Sequence, residues 1–441
     1  MSEQVVLYLE TDRDFIPKKK SNQQVITRIK MQTSDELLLS SPQTDCSILL
    51  LIDTSQSMEG AFSTGYAQLT RREGVRLAAE SMIQLLQPRD QVTLVFFNTR
   101  AYEVARDVSG TQKRALSEHL QTIHNYNGST HFEAAFAYAD AWAQEQPTQK
   151  SKRILFLTDG QSTVGSWTNT LQLAEKVASL GATVDCLGVG EDFAFDAMQS
   201  LSGPSGGTTQ RLFLPNDAKR AFREILQNAQ RALIHDVLLQ IRIPPDRRDV
   251  EIYQTVPEIR FSMPPVDATG GMQQVLRIGD IYHHQTAEVL ISMKLDTDTP
   301  DSNLVLFHCR LDYAIPSKGW VGLSHQDIAR VNLSEDPRRE RRDSSVFEEY
   351  TEASLVRDEA EFRQIHTQDW KRAVQLLQQM KQKAANMRLM EKERAFDQAI
   401  QQMQQTHALS RDQLNQLFAQ NARSTRSRSQ PVRQAAKPIQ F

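Results

Sequence analysis

The chain has 441 residues, 51 of them basic and 54 acidic, for a formal charge of −3 at neutral pH. That length allows two or three domains with ample core, and the near balance of charge gives no global argument for nucleic acid or a membrane surface as partner. Cys46, Cys186 and Cys309 lie far apart without metal-type spacing, so they read as buried free thiols in a reducing compartment. No segment reaches the ~18–20 apolar residues that span a bilayer, and the N-terminus lacks a basic stretch followed by an apolar run. The cytoplasm is the expected location.

In chain order, Val5 to Glu10 and Gln24 to Met31 read as strands around the polar turn Pro17-Lys18-Lys19-Lys20. Ile48 to Ile52 is an unbroken apolar run, short and β-branched at both ends, as expected of a strand buried on both faces of a parallel sheet. Val75, Leu77, Ala78, Met82, Ile83 and Leu86 then give a helical period closed by Pro88. Val92 to Phe97 is a strand, Ala115 to Ile123 a short helix and Phe132 to Trp142 an Ala-rich helix. Ile154 to Asp159 is an apolar strand ending on a carboxylate, Leu171 to Leu180 a helix and Thr183 to Val189 another buried strand. A helix around Ala218 to Ala232 follows a glycine-rich loop at 202–207. Repeated strand–helix alternation predicts a doubly wound, mostly parallel α/β domain over 44–232.

After His235 the pattern changes to short, mostly alternating runs up to Tyr313, which predicts a β-sandwich over 233–334. The early strands, within 1–43, are natural partners for it, so the α/β unit is expected as an insertion. Residues 335–345 form a charged linker. Residues 346–420 are nearly free of Pro and Gly, and Trp370, Val374, Leu377, Met380, Ala384, Met387 and Met390 mark one apolar stripe on a long helix. That stripe is a packing face or, alternatively, a coiled-coil or partner-docking face, although strict heptads are not sustained. Ser410 with Gln413 is a capping pair for a last short helix. The end, 421–441, has five basic residues and no acid, and reads as a disordered tail.

The stretch organising all this is Asp53-Thr54-Ser55-Gln56-Ser57, where the first buried strand stops. A carboxylate and two hydroxyls make a poor core but suit a hard divalent cation, and in parallel sheets ligands gather beyond the carboxyl ends of the strands. A turn rich in N-cap residues would look the same. Two further residues bear on the choice: Thr130, in a glycine-containing loop before a helix, and Asp159, at the end of a different apolar strand. Together they offer two carboxylates and three hydroxyls, and Mg²⁺ takes about six oxygens, some of them water.

At these positions the chain resembles the von Willebrand factor type A (VWA) family. Its metal-ion-dependent adhesion site combines D-x-S-x-S, a threonine after a glycine-bearing loop, and an aspartate in a T-D-G-like turn, matched here by Asp53-Thr54-Ser55-Gln56-Ser57, Gly128-Ser129-Thr130 and Thr158-Asp159-Gly160. The resemblance covers about residues 44–232, and Asn127 replaces a glycine found in many relatives. It implies that Ser55, Ser57 and Thr130 coordinate Mg²⁺ (or Mn²⁺ or Ca²⁺) through hydroxyls, with Asp53 and Asp159 binding directly or through water. A partner's Asp or Glu would complete the shell. The flanking strands are similar to the sandwich that accompanies this domain in bacterial relatives and in inter-alpha-trypsin-inhibitor-like proteins. Since some relatives work beside MoxR-type or metal-chelatase AAA+ ATPases, such a motor is the partner the resemblance suggests. The expectation is a bacterial, non-enzymatic, metal-dependent protein-binding adaptor.

The alternative is a metal-assisted phosphate-handling enzyme. Against it, Ser55 stands where an aspartate-nucleophile phosphatase wants a second acid, and there is no G-x-x-x-x-G-K-[ST] loop and no G-x-S-x-G elbow. His283-His284 has no H-E-x-x-H context and is expected in or beside a strand.

Overall fold

The fold was analysed in a computed structural model, which describes residues 4–34, 37, 45–62, 68–147, 150–160, 162–190, 193–212, 215–256, 259–266, 270–282, 286–410, 413, 414 and 417. The expected basic tail and His283-His284 lie outside the described residues.

The chain opens with β1 (Val5–Thr11), β2 (Phe15–Pro17) and β3 (Gln23–Thr33). It then enters the α/β unit: β4 (Cys46–Asp53), α1 (Arg71–Ile83), β5 (Gln91–Phe97), β6 (Ala101–Ser109), α2 (Lys113–Gln121) and α3 (Phe132–Glu145). The unit continues with β7 (Ser151–Thr158), α4 (Trp167–Ser179), β8 (Ala182–Val189), α5 (Phe195–Ser202), β9 (Thr209–Leu212) and α6 (Pro215–Arg231). Its sheet has the order β6-β5-β4-β7-β8-β9, parallel except for the antiparallel edge strand β6. All eight residues of β4, of β7 and of β8 are buried, the physical counterpart of their unbroken apolar runs. Period-two alternation then divides the side chains between two helical layers. Ile48, Leu50 and Ile52 pack with Val75 and Met82 of α1 and Phe222 of α6, while Leu49 and Leu51 pack with Phe132 and Phe136 of α3 and Val177 of α4.

Strands β10 (Ala232–Ile243), β11 (Arg248–Val256), β12 (Arg260–Ser262), β13 (Met272–Tyr282), β14 (Thr286–Leu295), β15 (Asn303–Ile315) and β16 (Trp320–Ser334) follow. With the first three strands they make two five-stranded sheets, β1-β3-β14-β11-β12 and β13-β10-β15-β16-β2, whose inward residues form a single core. Strand β3 pairs antiparallel with β14 from Gln23↔Leu295 to Gln32↔Thr286, so the α/β unit lies in sequence between paired strands. All three cysteines are free, buried and in strands β4, β8 and β15.

The charged run at 335–345 lies against the first strands. Arg13 pairs with Glu340 at 2.7 Å, Arg342 with Asp12 at 3.3 Å, and the Asp343 N–H donates to the Asp12 carbonyl at 2.6 Å. Beyond it the single long helix suggested by the apolar stripe is three helices: α7 (Ser344–Ile365), α8 (Trp370–Asn386) and α9 (Met390–Thr406). The breaks have local causes. The Asp369 side chain accepts from the Arg372 N–H and starts α8 anew. Arg388 takes φ 58°, and the Leu389 N–H turns back to the Ala384 carbonyl at 2.9 Å. Val374, Leu377, Met380 and Ala384 do form a buried face, packed on Leu355 and Phe362 of α7 and Phe396 and Met403 of α9, whereas Met390 is 60% exposed. Helix α7 docks on the first sheet through Val346 and Ala353 against Ile26, Tyr253 and Leu290. Ser410 and Gln413 exchange the reciprocal bonds of a capping box, at 2.8 and 3.3 Å.

Candidate metal site at the carboxyl edge of the parallel sheet

Strand β4 lies centrally in its sheet, between β5 and β7, so the chain leaving it faces loops from both neighbours. The turn after it is fixed by backbone needs. The Thr54 N–H donates to the Phe97 carbonyl at the end of β5 (2.8 Å), and Gln56 N–H donates to the Gly128 carbonyl (3.1 Å). Residues Gln56–Glu59 then form one 3-10 turn. Arg72, 2% exposed, donates to the Thr54 carbonyl at 3.0 Å and pairs with Glu59 at 2.5 Å, which holds the turn from beneath.

Asp53 is fully buried at the centre. Its Oδ1 accepts from the Ser55 N–H at 2.8 Å and its Oδ2 from the Thr158 hydroxyl at 2.7 Å. Burial pushes its carboxyl up to about 6, against those hydrogen bonds. Above it the Ser55 and Ser57 hydroxyl oxygens are 3.0 Å apart, and the Ser57 hydroxyl donates to Asp159 Oδ1 at 2.8 Å. Asp159 Oδ2 accepts from Arg71 Nη1 at 2.6 Å. Asp53, Ser55, Ser57 and Asp159 are therefore joined by hydrogen bonds among themselves and through Thr158. Thr130 is tied to a different loop: its N–H donates to the Thr163 hydroxyl (3.0 Å), and its carbonyl accepts from the Thr163 and Val164 N–H groups (2.9 and 3.2 Å), with no described contact to the other four candidates. Its described hydrogen bonds all run through the backbone. At the departure from the family pattern, the Asn127 side chain accepts from the Gly128 N–H at 2.8 Å, which stiffens the loop. Ser57 is exposed while Asp53, Ser55, Thr130 and Asp159 are buried, so the cluster opens to solvent on the Ser57 side.

The donor set fits a hard divalent ion. Neighbouring ligands in an octahedron of ~2.1 Å metal–oxygen bonds stand about 3.0 Å apart. The 3.0 Å Ser55–Ser57 and 2.8 Å Ser57–Asp159 separations match that edge. Among the described residues no group of three or more His, Cys, Asp or Glu could hold a metal, so a cation site here must lean on hydroxyls. The sequence reading missed Arg71 and the role of Thr158. Thr70-Arg71-Arg72-Glu73 has the pattern of an N-cap, and the Thr70 hydroxyl does accept from the Glu73 N–H at 3.1 Å, so Arg71 could have been placed on the first turn of α1. Its reach across to β7 could not.

The sequence model of the von Willebrand factor type A domain matches residues 48–161. In fold, the protein is similar to a von Willebrand factor type A protein from Catenulispora acidiphila, with a TM-score of 0.68 at 16% identity over 88% of each chain. The α/β unit is a VWA domain. The protein is also similar in fold to the ArnB paralog VWA2 from Sulfolobus acidocaldarius, with a TM-score of 0.59 at 13% identity over 97% of this chain and all of that one. In sequence it is 22% identical to an uncharacterized Synechocystis protein over 280 residues, covering 63% of each. It is 26% identical to a human inter-alpha-trypsin inhibitor heavy chain over 204 residues, 44% of this chain and 21% of that protein. None of these relatives is named as an enzyme. No helix among the described residues is long and apolar enough to cross a membrane.

Proposed function

We propose that the protein is a divalent-metal-dependent adaptor whose VWA domain captures an acidic residue of a partner protein. The reading rests on one observation: the hydroxyls of Ser55 and Ser57 and the Asp159 carboxylate stand 2.8–3.0 Å apart at the carboxyl rim of the sheet, above the buried Asp53 and with an exposed mouth. Asp53, Ser55, Ser57, Thr130 and Asp159 would hold the ion, with Mg²⁺ the first candidate and Mn²⁺ or Ca²⁺ as substitutes. Bound there, the ion would supply Lewis acidity toward an incoming carboxylate. The chain's own residues position the donors: Thr158 and the Ser55 N–H orient Asp53, while the Gln56–Gly128 bond keeps the Thr130 loop beside the β4 turn. Hydroxyl ligands leave much of the ion's charge uncancelled, so an Asp or Glu from outside becomes the natural sixth partner.

In this reading residues 44–232 bind, the flanking strands (1–43 and 233–334) form the supporting sandwich, and the helices of 346–420 organise assembly in the cytoplasm. A MoxR-type AAA+ ATPase is the partner to test first. The test is a pull-down with that ATPase in Mg²⁺ or in EDTA, using wild type and Asp53→Ala. Capture in Mg²⁺ that is lost at least tenfold in both EDTA and Asp53→Ala supports metal-dependent binding. Capture indifferent to both overturns it, and phosphoester turnover abolished by Asp53→Ala would establish the enzyme instead.

A further inference from the structure

The loop that carries Thr130 runs over residues 126–131 without helix or strand, pressed against Asn98 and Thr99 just past β5. The Gly128 carbonyl accepts from the Gln56 N–H at 3.1 Å, the Ser129 N–H donates to the Thr99 hydroxyl at 3.3 Å, and His131 Nδ1 lies 3.0 Å from the Thr99 carbonyl. Position 128 has room only for glycine. A Cβ there would stand 2.7 Å from Thr99 Oγ1 and 3.1 Å from the Asn98 side chain. Before it comes Asn127, the one asparagine in the sequence followed by glycine. Asn127 is exposed, and the Gly128 N–H donates to its side-chain oxygen at 2.8 Å.

We propose that Asn127–Gly128 is a deamidation site, and that its isoaspartate form frees this loop from the β4 turn. The Gly128 nitrogen gives its proton to hydroxide and attacks Asn127 Cγ. A C–N bond forms, the bond to the side-chain nitrogen breaks, and that nitrogen takes a proton from water and leaves as ammonia. Water then opens the resulting five-membered succinimide at either carbonyl, giving aspartate or, with the main chain rerouted through the side chain, isoaspartate. No oxidant or cofactor enters. The attacking nitrogen has no side chain of its own beside it to hinder the approach. It already lies against the amide it must attack, and no helix or ladder bond of the Gly128 N–H has to break first. Isoaspartate adds one methylene to the main chain directly before Gly128 and a negative charge to the loop. Since the backbone at 128 is packed against Asn98 and Thr99, the lengthened chain shifts, and the Gln56–Gly128 bond is the one lost. On the metal-dependent reading above, Thr130 then leaves the ion; the modification and the freed turn stand without that reading.

The test ages the full chain in warm, mildly alkaline buffer beside Asn127→Gln and Asn127→Asp, and maps peptides by mass. The peptide carrying Asn127 should become about one dalton heavier, as amide becomes acid. It should do so about tenfold faster than any other asparagine, the advantage of an unhindered glycine nitrogen. Part of the product should accept a methyl group from a protein isoaspartyl methyltransferase. Hydrogen exchange at the Gln56 amide should rise about tenfold in aged wild type, as for an amide whose bond no longer closes. Asn127→Gln should age unchanged, and Asn127→Asp, charged but not lengthened, should exchange like fresh wild type. Deamidation at Asn127 no faster than at other exposed asparagines would overturn the site. Isoaspartate with Gln56 exchange unchanged would overturn the freed turn. Raised exchange with unaltered Mn²⁺ affinity would support the inference and remove Thr130 from the metal-dependent reading.

Discussion

Strand β7 carries charge at both ends, and the two ends treat it in opposite ways. At its amino end Arg153, 2% exposed, donates to Asp185 and Asp280 at 3.1 Å each and to the Tyr282 hydroxyl at 2.8 Å, while His235 Nδ1 lies 3.3 Å from Asp280. Burial works against the guanidinium's charge, but Tyr282, Asp185 and Asp280 outweigh it and hold Arg153 above its ordinary value. Burial likewise opposes the Asp280 carboxylate, yet His235 and Arg153 prevail and its pKa stays lowered. At the carboxyl end Thr158 donates to Asp53, the last residue of the neighbouring β4, which meets hydrogen-bond donors instead of an arginine, and burial raises its carboxyl. The difference separates a joint from a candidate binding site. The amino end uses its charges to fasten the VWA domain to β10 and β13, whereas at the carboxyl edge the described contacts hold Asp53 by hydrogen-bond donors alone.

The comparison is tested most severely by Arg153→Met, which leaves Asp185 and Asp280 buried without their cation. A loss of about 3–5 kcal/mol in urea unfolding is expected, the usual cost of breaking a buried ion pair from one side. A variant within 1 kcal/mol of wild type would mean that the amino end is not the joint described.

A half-buried acid asks whether like-charge crowding elsewhere behaves as the physics requires. Glu288 of β14 faces Glu349 of α7, with Lys30 and Arg28 of β3 in partial compensation; Arg28 itself pairs with Glu349 (3.0 Å) and Glu10 (2.5 Å). Burial and Glu349 push the Glu288 carboxyl up to about 7 from 4.5. The folded state therefore prefers the protonated form, and this group's contribution to stability falls as pH rises from about 4.5 to about 7. Two and a half pKa units correspond to an upper bound of about 3 kcal/mol. Glu288→Gln should gain on wild type by that order between pH 5 and 8, read from paired urea titrations. A pH-independent difference would sink the assignment.

The smallest expected effect is at the rim itself. Thr158→Val removes the donor to Asp53 Oδ2 while keeping the shape of the side chain. A loss of about 1–2 kcal/mol in EDTA is expected for a buried acceptor left unsatisfied. No loss would show that the hydroxyl does not orient Asp53.

The parallel strands β4, β7 and β8 were legible because a strand buried on both faces must be apolar throughout. The edge strand β6 and the 15-residue β16 were not, since both leave most of their length half-covered or exposed and so carry mixed, polar-rich sequences. Short α5 and β9 lack the length for a period to declare itself. The stripe from Trp370 to Met390 kept helical spacing across a break, because Arg388 in a left-handed conformation is something its residue type does not announce. At the site, the five oxygen donors were readable as residue types in order. The contacts that join Asp53, Ser55 and Ser57 to Thr158 and Asp159 are tertiary, and so is the arginine that crosses from α1 to β7.

Pairing β3 with β14, some 260 residues away, has a consequence for synthesis. As the ribosome releases the chain, β1 and β3 emerge before the VWA domain and then wait, while everything from β4 to α6 is made with its partners close at hand. Closing so long a loop costs entropy that only the finished second sheet repays. The VWA domain is therefore ready to condense during translation, and the nascent hairpin is the segment whose open edge a cell must guard from its neighbours until β14 arrives.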